Sequence, residues 1–185
     1  MKPIKILPLL VIYFFASVSF AQSIYMTRTG RISFHSDAPL QKIEAVTNSA
    51  ISVLNIENGV VQTTVQINTF EFDKPLMQSH FNENYMESDK YPKSTFKGRI
   101  VNAKSIDWTK AGSQKIEIEG ELTMHGITRN MTAQGTIEKK DSQLLAIVTF
   151  EVKLKDYEIK IPSLVGNKIA EIVEVRLNMT YDPVK

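Results

Sequence analysis

Leu144, Ala146, Val148, Phe150, Val152 and Leu154 are all apolar and stand two residues apart, with Thr149, Glu151 and Lys153 set between them. A chain with that period has one dry and one wet face only when extended, because successive side chains of a strand point to opposite sides. The pattern recurs. Val173, Val175, Leu177, Met179 and Tyr181 alternate with Glu174, Arg176, Asn178 and Thr180, and Ile118, Gly120 and Leu122 alternate with Glu117, Glu119 and Glu121. Strands wetted on a single face belong to antiparallel sheets.

Turn signals divide these stripes. Asn58-Gly59 separates Ala50–Ile56 from Val60–Thr69 and reads as a hairpin. Lys139-Lys140-Asp141-Ser142 and Ala111-Gly112-Ser113 mark two more turns, and His125-Gly126 reads as a tight corner or bulge. Strands are expected near 25–36, 40–48, 50–57, 60–70, 94–107, 115–124, 127–138, 143–155 and 170–181. Pro75–Asp89 differs, because Leu76, Met77, Phe81, Tyr85 and Met86 recur at helical intervals behind a proline suited to a first turn. One helix or two short turns is expected there. The fold class is therefore all-β with a short helical insertion. About eight amphipathic strands hide their edges completely only by closing into an antiparallel β-barrel; a two-sheet sandwich is the competing arrangement.

The first 21 residues read as a signal peptide rather than as part of this fold. Lys2 and Lys5 precede an uncharged, almost wholly apolar run from Leu7 to Phe20, and Ala21 precedes Gln22 at the expected cut. An uncleaved anchor is the rival reading, but the run is short for a span of about 20 residues. Residues 22–185 then form a single barrel domain, periplasmic or secreted. Lys2 and Lys5 leave with the leader, so Lys+Arg falls from 22 to 20 against 20 Asp+Glu. A near-neutral chain gives no reason to expect nucleic-acid binding. The sequence contains no Cys, which excludes disulfides, thiolate nucleophiles and Cys-based metal centres.

Three segments carry a resemblance when taken together. They are Tyr91-Pro92-Lys93-Ser94-Thr95-Phe96, Gly120-Glu121-Leu122-Thr123-Met124-His125-Gly126-Ile127-Thr128-Arg129, and Asp156-Tyr157-Glu158-Ile159-Lys160-Ile161-Pro162. In this order, behind a leader, the chain resembles the YceI family of exported bacterial lipid-binding proteins over about residues 24–182. The resemblance implies a lipocalin-like extended barrel whose interior holds an isoprenoid chain, of quinone or polyprenyl type. It implies no enzymatic activity and no cofactor beyond such a bound lipid.

A lipid carrier needs a dry lining, a mouth and a few polar groups there. The dry-face candidates are Phe34, Phe70, Phe72, Phe96, Ile118, Leu122, Met124, Phe150, Val152, Leu177 and Met179. Leu76, Phe81 and Tyr85 either gate one end or plug it. Thr123, His125 and Arg129 are candidates for head-group contact, with a purely structural role for His125 left open. Lys90, Lys93, Lys97 and Arg99 form either a solvated face or, if at the mouth, a preference for a phosphorylated polyprenol. His35, His80 and His125 lie on separate elements without zinc-ligand spacing, so no metal is expected. The carboxylates of Glu117, Glu119 and Glu121 share a wet face, and neither a nucleophile elbow nor a phosphate loop is visible. The function expected is therefore sequestration or carriage of a long-chain amphiphile, with transient membrane contact and a homodimer left open. The alternative is a stress-protective or protein-interaction module with a filled barrel.

Overall fold

A computed structural model describes residues 23–163 and 166–184; the leader expected over 1–21 lies outside them. In chain order the elements are β1 (Ile24–Ala38), β2 (Gln41–Asn55), β3 (Val60–Gln66), β4 (Glu71–Phe72), α1 (Pro75–His80), β5 (Lys93–Ile100), β6 (Gly112–Met124), β7 (Ile127–Lys140), β8 (Gln143–Lys153) and β9 (Ile172–Pro183). The ladder runs β1-β9-β8-β7-β6-β5-β3-β2, and β2 pairs again with β1. Eight antiparallel strands thus close into a barrel, and β4 only extends β2 by a two-residue ladder. Closure joins the first and last strands, with Phe34 opposite Val175. The expected barrel is the fold found, and the sandwich is not.

Alternation maps onto burial as the stripes require. In β8, Leu144, Ala146, Val148 and Val152 are buried, while Leu145 is half-buried and Ile147, Thr149 and Glu151 face water. The strands expected at 40–48 and 50–57 are instead one continuous strand, β2. The period slips inside it, because Thr47 and Ala50 are both buried around exposed Asn48 and Ser49. Facing them, β1 slips in the same way at Thr27 and Gly30, and the register between the strands shifts there. The Thr47 and Thr27 hydroxyls accept the backbone N–H groups of Ser49 (3.2 Å) and Thr29 (3.4 Å). Such bulges bend a strand and imitate a strand break in the sequence pattern.

Two other strands end earlier than expected. β3 gives way to a tight helical turn at Ile67–Thr69, and β5 stops at Ile100 ahead of another at Ala103–Ser105. The helical insertion is real but short. α1 has six residues and passes directly into a π-helical turn over Phe81–Tyr85, where the Met86 N–H donates to the Phe81 carbonyl at 2.8 Å.

Gly98 of β5 and Gly120 of β6 are paired on the inward face. The Phe96 ring lies against both, so a Cβ on Gly120 would meet that ring, the Gly98 Cα and the Lys97 carbonyl. The ring takes the space that side chains at these two positions would need. Gly120→Ala is expected to lower unfolding stability by about 1–3 kcal/mol through overpacking, measured by urea denaturation at unchanged m-value.

Candidate functional site

Inward side chains of the strands do not meet at the barrel axis. They enclose a cavity of about 540 Å³, within the usual range of roughly 300–1,000 Å³ for ligand pockets. Every apolar candidate from the sequence stands on its wall: Phe34, Phe70, Phe72, Leu76, Phe81, Phe96, Ile118, Leu122, Met124, Phe150, Val152, Leu177 and Met179. Leu76 is a rim residue, 67% exposed. Ala133 of β7 and Ala146 of β8 also face inward and leave room that larger residues would fill. Among the described residues, no three His, Asp or Glu side chains stand close enough to share a metal ion.

The helical segment forms the ceiling. Met77, Phe81, Tyr85 and Met86 line the cavity from above. Phe81 stacks on Phe34 (centroids 5.4 Å apart, planes 24° apart) and tilts against Phe72 (5.0 Å) and Phe70 (5.8 Å). This aromatic cluster ties the segment to β1 and β4. π-helical turns interrupt the regular ladder and recur at functional sites.

The opposite end is closed. Ala103, Ile106, Leu54 and Leu144 are buried there in the main apolar cluster, with Trp108 packed against it. A small polar network sits among them. The Ser52 hydroxyl shares hydrogen bonds with Thr63 (2.7 Å) and with Tyr181 (2.8 Å), and both of these partners touch the cavity. Burial pushes the Tyr181 phenol up to about 12, opposed by its hydrogen bond to Ser52. An unfolded tyrosine ionises near 10, so between those values the folded chain keeps a proton that the unfolded chain has lost. Stability therefore falls with rising pH in that window, by about 1.4 kcal/mol per unit from this group. Tyr181→Phe is expected to flatten the decline above pH ~10, measured as midpoint denaturant concentration against pH.

The polar candidates take a different position. Thr123, His125 and Arg129 are absent from the cavity wall, and each is engaged by protein. Thr123 and Thr128 share a hydrogen bond (2.8 Å), and the Arg129 Nε donates to the Asp156 carbonyl (3.1 Å). His125 and Gly126 form the two-residue turn between β6 and β7, both with positive φ (52° and 76°). That is the turn type that matches strand twist, and histidine tolerates its left-handed backbone better than most residues. The His125 Nδ1 donates to the Tyr157 carbonyl (2.9 Å), while Nε2 stands 2.8 Å from the Glu87 carboxylate. Tyr91 packs edge-on to the imidazole (4.7 Å), and its ring occupies the space a Cβ on Gly126 would need. The His125 side chain is 10% exposed. The three sequence segments therefore meet at one imidazole, which fastens the end of the helical segment and the turn at Leu154–Tyr157 to the β6–β7 hairpin. His125→Ala leaves the carbonyl of buried Tyr157 without this hydrogen bond, while half-exposed Glu87 can turn to water, and is expected to cost about 1–3 kcal/mol, read as a lowered Tm.

The basic run is also off the wall. Lys97 and Arg99 are exposed on the outer face of β5, Arg99 paired with Glu119 at 2.7 Å, and the Lys90 Nζ sits 4.8 Å over the Tyr91 ring. The basic side chains that do line the cavity are those of Lys74, His80 and Lys168, near its open end. None of them lies on a strand of regular alternation, so no periodicity pointed to them.

Comparison with known proteins follows the same lines. The family model described as YceI-like domain matches residues 17–181. No match is found among curated proteins. A solved polyisoprenoid binding domain from Saccharophagus degradans, implicated in plant cell wall breakdown, is similar with a TM-score of 0.76 at 14% identity, covering 89% of this chain and 100% of that one. Burkholderia cenocepacia BcnA is similar with a TM-score of 0.69 at 15% identity, covering 82% and 95%. The Campylobacter jejuni YCEI protein reaches 0.52 at 14% identity, covering 74% and 81%. At these identities the likeness is one of fold.

Proposed function

Because the chain belongs to the YceI-like domain family, we propose that it binds a long-chain amphiphile of isoprenoid type inside the barrel and sequesters or carries it outside the cytoplasm. The observation that carries this reading is the apolar hollow of about 540 Å³ under the helical ceiling. The similar fold of the Saccharophagus degradans polyisoprenoid binding domain supports it. The leader expected over 1–21 supports export.

The energetics favour carriage over capture. A hydrocarbon tail in a bilayer is already dry, so moving it into a dry barrel gains little. Crossing water unaided would cost about 0.8 kcal/mol per exposed CH₂. The barrel removes that cost and leaves the direction of transfer to supply and demand. Loading requires brief contact with a bilayer. Leu40 (70% exposed) and Leu76, beside the wall residues Gln41 and Lys74, offer apolar contacts at the open end. Binding, not turnover, is the activity expected of a lining whose charged groups are confined to the rim.

Native mass spectrometry and organic extraction of the purified protein are expected to reveal a bound apolar molecule. Ala133→Phe places a ring in the hollow. It is expected to reduce quinone or polyprenol uptake at least about tenfold while leaving the thermal midpoint close to wild type. A filled barrel would instead lose about 1–3 kcal/mol from the added ring, and delipidated protein that takes up no quinone, polyprenol or fatty acid would contradict lipid binding.

A further inference from the structure

We propose that the mouth selects an anionic head group, a carboxylate or a phosphate on a single long chain, through Lys74 and Lys168. This rests on the lipid-binding reading above and narrows it. The two lysines reach the same sector of the rim from different directions. Phe72 and Glu71 of β4 pair with Ala45 and Val46, so the chain that leaves β4 runs beside the start of β2 and brings Lys74 there. On the other side, the Leu40 N–H donates to the Asn167 carbonyl (3.0 Å) and the Ala170 N–H to the Ser36 hydroxyl (2.8 Å). Those two bonds pin the segment carrying Lys168 against the β1–β2 turn. Lys74, Lys168 and Gln41 between them all line the cavity.

The charge around this rim is one-sided. Among the described residues no Asp or Glu lines the cavity, so the permanent charges they place on its wall are the two ammonium groups. Nearby carboxylates lie off the wall. Asp37 is paired with Lys42 at 3.3 Å, Glu44 stands 3.3 Å from the His35 ring, and Glu71, Asp73 and Glu171 are exposed. Among the described residues, neither Lys74 nor Lys168 is in a salt bridge. A tail lying in the dry tunnel leaves its head at this boundary, where a charge-assisted hydrogen bond is stronger than a neutral one. A neutral quinone or alcohol oxygen can accept from an ammonium group but lacks the added attraction between opposite charges, and a cationic head is repelled.

The test compares matched ligands that differ only in head charge. Delipidated full-length mature protein is titrated at mildly alkaline pH, where a free carboxylate is ionised, against an environment-sensitive apolar dye. The competitors are hexadecanoate with hexadecanol, and geranylgeranyl phosphate with geranylgeraniol. At least one anion is expected to displace the dye at about tenfold lower concentration than its alcohol, and which pair shows the preference identifies carboxylate or phosphate. The Lys74→Gln/Lys168→Gln double variant is expected to bring the anion to the level of its alcohol with the alcohols unchanged. Equal displacement by anion and alcohol in the wild type, or a preference that survives the double variant, overturns anion selection while leaving lipid binding standing. Failure of every one of these ligands to displace the dye overturns both.

Discussion

A closed ring of backbone hydrogen bonds is what allows this protein to be hollow. An ordinary domain holds its elements apart at the distance its core side chains set, and an unfilled centre costs stability in proportion to the void. Here the spacing of the walls is fixed by the ladders that run from β1 round to β2 and back to β1. Each strand is positioned by its two neighbours, so the inward side chains need not touch across the axis. Small residues at Ala133 and Ala146 then turn permitted space into actual space. The bulges facing one another in β1 and β2 bend those long strands enough for the circuit to close.

The His125 junction gives this ring its lid. The helical segment is short, six α-helical residues and a π-helical turn, and too small to be stable alone. It is held at two places, by the phenylalanine cluster around Phe81 and by Glu87 on the buried imidazole. Motif residues that looked like candidates for ligand chemistry are thus the fastening of the structure that covers the ligand space. That explains why a polar side chain, two positive-φ residues and an aromatic ring are concentrated at a hairpin turn whose polar groups stay off the cavity wall.

Most of the wall was legible because strands report their two faces with period two. Phe150, Val152, Leu177 and Met179 could be placed inward from their neighbours alone. Closure into a barrel followed from the need to hide edges, whereas the order of the strands round it is set by the fold. Reading failed where the period slipped, at Thr47–Ala50, since a bulge and a turn disturb the alternation in the same way. It failed again for the polar groups. Lys74 and Lys168 lie on irregular segments whose position is set by the pairing of β4 and by the contact of Asn167 with Leu40, both long-range facts. His125 could be singled out, but not its role, because Glu87 and the Tyr157 carbonyl are brought to it only by the fold.

Ile106, Leu144 and the Tyr181 hydroxyl network stopper the lower end of the barrel among the described residues. Under the proposed lipid binding, a tail would enter from the mouth and meet a fixed stop, so its depth of entry would be limited and any surplus would protrude or fold back on itself.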